Sequence, residues 1–127
     1  MIVVDTSALM EIVLDAPLAE ACSAVLESAD DASISAGTLA EALIVAGRRG
    51  VGREMETLVR GVGIEVVAVT DAAARRVSDA YSKWGKGVHP AGLNFGGCFA
   101  YALAEERACA LLFVGEDFPR TGITSCL

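Results

Sequence analysis

Apolar and polar residues alternate along the chain so as to divide it into short β-type runs and longer helical ones. Ile2, Val3 and Val4 form an apolar run that stops at Asp5, after which Thr6 to Leu14 follows helical spacing. Asp15 followed by Pro17 predicts a second helix start, since aspartate caps and proline is tolerated in a first turn. Leu18, Cys22, Val25 and Leu26 carry that helix's apolar stripe through to Ser28. Ser33 to Ala36 is a candidate short strand, followed by a helix from Thr38 through Ala46. A glycine-punctuated basic link, Arg48 to Gly52, leads into a helix over Glu54 to Arg60. Ile64 to Val69 is almost wholly β-branched and reads as the clearest strand, and Thr70 caps a helix running to about Trp84. After the loop GKGVHPAG a helix opens at Asn94, Leu111 to Val114 makes another strand, and Ile123 with Thr124 offers a short last one.

Strands alternating with helices imply parallel strands joined by right-handed crossovers. The expected fold is therefore α/β, one domain over residues 1–127: a three-layer α/β/α sandwich around a parallel sheet of four to five strands. In such a sheet, groups at the carboxyl ends of the strands converge on one edge, where ligands bind. Three acids meet that condition: Asp5 after the first strand, Glu41 in the helix following the second, and Asp117 after the fourth.

Each acid also has an ordinary explanation. Asp5 suits the cap of the helix that follows it, Glu41 completes a capping box Thr38-Leu39-Ala40-Glu41, and Asp117 stands in a turn before Phe118 and Pro119. Taken together, converging carboxylates suit a hard divalent cation, Mg²⁺ or Mn²⁺, and water-driven cleavage of a phosphodiester. Other chemistries fare worse. There is no GxxxxGK[ST] phosphate loop, Ser7 has no histidine placed to activate it, and a phosphatase or receiver domain would want paired acids where Asp5-Thr6-Ser7 offers one.

Composition narrows the class further. With 127 residues and 54% hydrophobic content the chain has ample material for one core. Its apolar stretches are far too short to cross a bilayer and no signal-peptide pattern opens it, so a soluble, cytoplasmic protein is expected. Cys22, Cys98, Cys109 and Cys126 show no CxxC pairing and the one histidine, His89, falls in a predicted loop beside Pro90. Neither a zinc cluster nor a disulfide framework is encoded; buried thiols are expected, with Cys126 the most exposed of them. A net charge of −7 argues against holding nucleic acid by bulk electrostatics, yet every lysine and arginine lies from Arg48 onward. Leu9, Met10, Ile12 and Val13 make the first helix apolar around much of its circumference, so apolar surface is expected to remain there.

The helix opening at Asn94 carries an inconsistency. Phe95, Phe99, Ala100 and Leu103 recur at helical spacing, but Gly96 and Gly97 fill its first turn, and each interior glycine costs roughly 1 kcal/mol relative to alanine.

Four blocks carry a resemblance that bears on this. "MIVVDTSAL", "TLAEALIV", "GKGVHPAGLNFG" with "CFAYALA", and "LLFVGEDFPRTGI" resemble, in order and over essentially the whole chain, the VapC toxins of bacterial toxin-antitoxin pairs, which are PIN-domain ribonucleases. The resemblance implies a single PIN domain acting as a Mg²⁺- or Mn²⁺-dependent endoribonuclease that cuts cellular RNA until a VapB antitoxin occupies its active site. It also implies a homodimer that meets promoter DNA only indirectly, through the antitoxin, and no membrane association. By matching motif, Asp5 is expected as a metal ligand, Glu41 as an active-site acid, and Asp117 as a further acid and ligand. Glu116 is a lesser candidate, and Thr6 and Ser7 are expected to orient metal-bound waters. Arg48, Arg49 and Arg53, with Lys83 and Lys86 around Trp84, are candidate contacts to RNA, Trp84 stacking on a base. Solvated helix ends, and plain packing of Trp84 and Tyr81, are the simpler readings; His89 reads as a loop hydrogen-bonder.

One position departs from the family pattern. Where these toxins resemble "LNFGDCFAYALA", Gly97 stands here, so the place of an expected metal-binding aspartate is vacant. Losing a direct ligand is expected to weaken metal binding by more than the roughly 10- to 100-fold typical of losing an outer hydrogen-bonding partner. The expectation is a toxin-family nuclease that keeps its fold with impaired or absent activity. The alternative is a catalytically silent PIN domain that serves as an antitoxin-binding module.

Overall fold

The computed structural model describes residues 1–127. The chain runs β1 (Ile2–Val4), α1 (Thr6–Val13), α2 (Ala19–Ser28), β2 (Ala32–Ser35), α3 (Ala36–Arg48), α4 (Gly52–Val62), β3 (Glu65–Val67), α5 (Asp71–Trp84), α6 (Phe95–Arg107) and β4 (Ala110–Leu112). A 3₁₀ turn at Pro119–Thr121 follows. The four strands pair in parallel in the order β3-β2-β1-β4, with Val3 opposite Ser33 on one side and Leu111 on the other.

Successive strand residues point to opposite faces, so each short strand serves two cores. Val3 and Leu111 enter a cluster with Val77, Ala80, Leu93 and most of α6; Val4, Ile34 and Leu112 enter another with residues of α1, α2, α3 and α4. Helices thus cover both faces, which is why β1 and β4 read as continuous apolar runs. This is the expected three-layer α/β/α architecture. Because all strands are parallel, their carboxyl ends share one edge. The chain leaves β1 toward β2 and returns past it to β4, which makes the β1/β4 crevice the point where strand order reverses and ligands bind.

Several boundaries differ from the sequence expectation. The β-branched run from Ile64 to Val69 contributes only Glu65–Val67 to the sheet, as an edge strand with Val66 47% exposed, because only β2 pairs with it. Ile123 and Thr124 form no strand of their own; the last segment joins the sheet through a single bridge between Leu111 and Ser125. Asp15 is not a cap. It takes a left-handed conformation (φ 49°), and Glu11 Oε2 accepts from the Leu18 amide at 2.9 Å just ahead of α2. Helix α3 starts earlier than expected, with Ser35 accepting from the Gly37 amide at 3.2 Å. Thr38 therefore lies inside the helix and the capping box with Glu41 does not form; the buried Thr38 Oγ1 has no hydrogen-bond partner. The apolar circumference of α1 is also largely covered. Leu9 and Met10 are buried, and Ile12 and Val13 are half-buried against the α2–α4 core. Cys22 and Cys98 are buried, whereas Cys126 and Cys109 are only half-buried. No helix is long and apolar enough to cross a membrane.

Candidate active site

Asp5 leaves β1 with extended backbone geometry (φ −95°, ψ 156°) and caps α1, its Oδ2 accepting from the Ser7 amide at 3.0 Å and the Ser7 hydroxyl at 2.6 Å. The Ser7 oxygen in turn accepts from the Val114 amide at 3.0 Å, which ties the exit of β4 to the exit of β1. The capping explanation of Asp5 is thus correct, and it does not exhaust the residue. Only 5% exposed, Asp5 also lines a cavity of about 180 Å³ at the carboxyl edge of the sheet.

Glu41 reaches the same cavity from α3. The Thr6 hydroxyl donates to its Oε1 at 2.7 Å, so Thr6 and Ser7 orient carboxylates. Gly96 explains itself here. A Cβ at that position would overlap the Glu41 carboxylate where it now lies, so glycine there leaves that carboxylate its place between α3 and α6. Asn94 caps α6 by accepting from the Gly97 amide at 2.7 Å, which sets Gly97 on the cavity wall. A Cβ at Gly97 would meet Asn94 Oδ1 at 3.2 Å and Phe118 at 3.4 Å, a tight but adjustable fit. Gly96 therefore leaves room for the Glu41 carboxylate in its present place, whereas a Cβ at Gly97 would need Asn94 and Phe118 to give slightly.

Asp117 closes the wall from the loop after β4, exposed to solvent, with Phe118 buried beneath it. The cavity thus brings Asp5, Glu41, Asp117 and Gly97 together. It does not include Glu116, which is exposed, nor Arg48, Arg49, Lys83 or Lys86. Trp84 is held in the fold, donating from Nε1 to the Tyr101 hydroxyl at 2.9 Å, with Lys83 Nζ 4.9 Å from its ring centroid. His89 Nδ1 accepts from the Ala91 amide at 2.9 Å, a loop contact. Asn94 is the lining residue that sequence reading treated only as a cap; its place one turn from Gly97 was the available signal.

Electrostatically the cavity is one-sided. Burial pushes the Asp5 carboxyl up to about 6 and the Glu41 charge adds to this, against the lowering effect of the Ser7 hydrogen bonds. No basic side chain lines the cavity. A divalent cation is the obvious complement to such acids, but the donor set falls short of one. No three acidic, histidine or cysteine side chains anywhere in the molecule come close enough to hold a metal ion together.

Family models place residues 2–123 in the PIN domain family. Ribonuclease VapC30 of Mycobacterium tuberculosis is 40% identical over 126 residues, spanning 97% of this chain and 96% of its own. The chain belongs to the VapC family of PIN-domain toxins. Among solved structures, the M. tuberculosis toxin VapC20, which cleaves the sarcin-ricin loop, aligns with a TM-score of 0.79 at 15% identity, covering 98% of this chain and 97% of its own. A toxin-antitoxin complex from Klebsiella pneumoniae aligns with a TM-score of 0.69 at 15% identity, covering 94% and 91%. At those identities the structures speak to the fold alone, and the fold is the VapC one.

Proposed function

We propose that this VapC-family chain is the toxin half of a toxin-antitoxin pair, an endoribonuclease by descent whose site lacks one carboxylate and whose activity is correspondingly impaired or absent. The observation that carries this is the shared cavity. Asp5, Glu41 and Asp117 border it, and Gly97 stands on the same wall, where a Cβ fits once Asn94 and Phe118 give slightly. Two inner carboxylates and one on an exposed loop do not amount to a protein-held Mg²⁺ or Mn²⁺ site, so no step through a metal is assigned to the chain as it stands. Family membership supports proposing RNA as substrate, a VapB-like antitoxin as partner and a homodimer as the assembly.

Gly97→Asp tests this directly. The variant is expected to cleave RNA with Mn²⁺ and to arrest growth when expressed, relieved by a cognate VapB-like antitoxin, while the unmodified chain does neither at comparable dose. Absence of any gain, with the variant folded, would sink the impaired-nuclease reading. The shortfall in donors also favours a second reading, a silent PIN domain that captures antitoxin and so buffers a related toxin. Under it the unmodified chain binds antitoxin and Gly97→Asp remains inactive on RNA.

A further inference from the structure

A second concavity lies along the same edge of the sheet, beyond β2, where β3 hands over to α5. It holds about 160 Å³ and is bordered by Val67, Val69, Val77 and Phe99, with Arg76 and Glu106 at its mouth. We propose that it is a base-binding subsite for single-stranded RNA, with the Phe99 ring as stacking surface and the Arg76–Glu106 pair meeting the edge of the base. This rests on the ribonuclease reading above and names what that reading leaves open, the part of the substrate that the chain recognises.

Four observations support it. The first is position: β3 lies two strands from β1, and with neighbouring strands about 4.8 Å apart the cavity sits on the order of 10 Å from the acids. A strand of RNA passing the acids along this edge would bring a nucleotide next to the scissile one over it. The second is size. Its volume is close to that of an apolar cavity of about 150 Å³ known to take up benzene, enough for one flat ring.

The third is a fixed aromatic wall. Phe99 rests on Gly37, where any Cβ would overlap its ring, and Phe95 stands edge-on to it at 5.0 Å. Phe95 is itself 66% exposed, which extends the aromatic surface around Phe99 toward solvent. Single-stranded nucleic acids are held in this way, by aromatic faces flanking a backbone site. The fourth is the mouth. Arg76 Nη1 and Glu106 Oε2 pair at 3.2 Å with both side chains over 40% exposed. Such a pair contributes little to stability, so its donors and acceptors are free to exchange for those of a base, arginine donating to the base's ring nitrogens or carbonyl oxygens and glutamate accepting from its amino or imino groups.

The test is fluorescence anisotropy with labelled single-stranded oligoribonucleotides of A, C, G or U, using the unmodified chain and Gly97→Asp with Ca²⁺ to limit cleavage. Phe99→Leu, which keeps an apolar side chain without a π face, is expected to weaken binding about tenfold, the scale of one lost base stack. The double variant Arg76→Ala with Glu106→Ala is expected to keep the average affinity within about threefold and to flatten the ranking among the four bases. Circular dichroism and size-exclusion chromatography accompany each variant. RNA binding with unchanged affinity and base ranking in the folded double variant would overturn the subsite while leaving the ribonuclease reading intact. A change of oligomeric state in these variants without a change in RNA binding would overturn it too, in favour of a face between copies of the chain. No RNA binding by any form, Gly97→Asp included, would take down the ribonuclease reading and the subsite with it.

Discussion

The two ends of the sheet handle charge in opposite ways. At the amino end, Arg107 Nη1 donates to the Ser33 hydroxyl at 2.7 Å and to Glu65 Oε1 at 3.1 Å, and Ser33 also donates to Glu65 at 3.2 Å. These contacts hold the Glu65 carboxyl below the usual range, the arginine hydrogen bond contributing most. At the carboxyl end, Asp5 and Glu41 have hydroxyl and amide donors but no cation, and Asp5 is pushed up instead. Charges that serve only the fold find partners within it. Acids kept together without one suit a bound cation, and under the proposed function Gly97 is the place that a further carboxylate would fill.

Restoring the missing carboxylate should alter this contrast most. Gly97→Asp is expected to gain stability on Mn²⁺ addition, about 2.7 kcal/mol at a hundredfold excess over Kd, whereas the unmodified chain should show little response. Thermal melts with and without Mn²⁺ measure it; equal shifts in the two proteins would mean the cavity is not where the ion binds.

Neutralising the acid comes next. The folded Asp5 carboxyl holds its proton to higher pH than the unfolded one, from the ordinary 3.8 up to about 6. Stability therefore falls as pH rises through that window and stays at the lower level above it. Asp5→Asn should abolish the slope. Near neutral pH it should stabilise the chain by about 2 kcal/mol, the gain of roughly 3 from the shift less about 1 for a weakened Ser7 hydrogen bond. Denaturant titrations at pH 4 and pH 7.5 decide it, and a destabilised variant at pH 7.5 would contradict the account of Asp5 as a strained acid.

Gly96→Ala probes the neighbouring glycine. Its Cβ would displace only the flexible end of Glu41, so the loss of the Thr6 hydrogen bond is set against the helix gain of roughly 1 kcal/mol and the melting temperature should move little. In the Gly97→Asp background the same change should lower RNA cleavage at least about tenfold, the scale of a general acid–base or positioning contribution. Activity retained alongside Gly96→Ala would show that Glu41 does not need its present place. The smallest effect is expected at the amino end, where Arg107→Gln should lower the melting temperature slightly, and less so at high salt, because the pair with Glu65 faces solvent.

Much of the architecture was legible before any coordinates. Apolar runs located β1 and β4, whose residues are covered on both faces, a β-branched run located β3, and helical spacing located the main helices. Asp5, Thr70 and Asn94 each accept a backbone amide at a helix start, the short-range interaction a sequence can advertise. Boundaries fared worse where two residues offered the same chemistry. Ser35 and Thr38 both carry a hydroxyl suited to capping, and only the close of β2 at Ser35 selects between them.

The sequence by itself determined the order of elements, the placing of acids after strands, and the oddity of two adjacent glycines, because each depends on neighbours within a turn or so. Only the tertiary structure separated those glycines. Gly96 owes its identity to a carboxylate on another helix, and Gly97 faces a cavity that four separate segments enclose. Spacing along the chain carries no record of such meetings; they exist only once the parallel sheet brings its strand ends to a common edge.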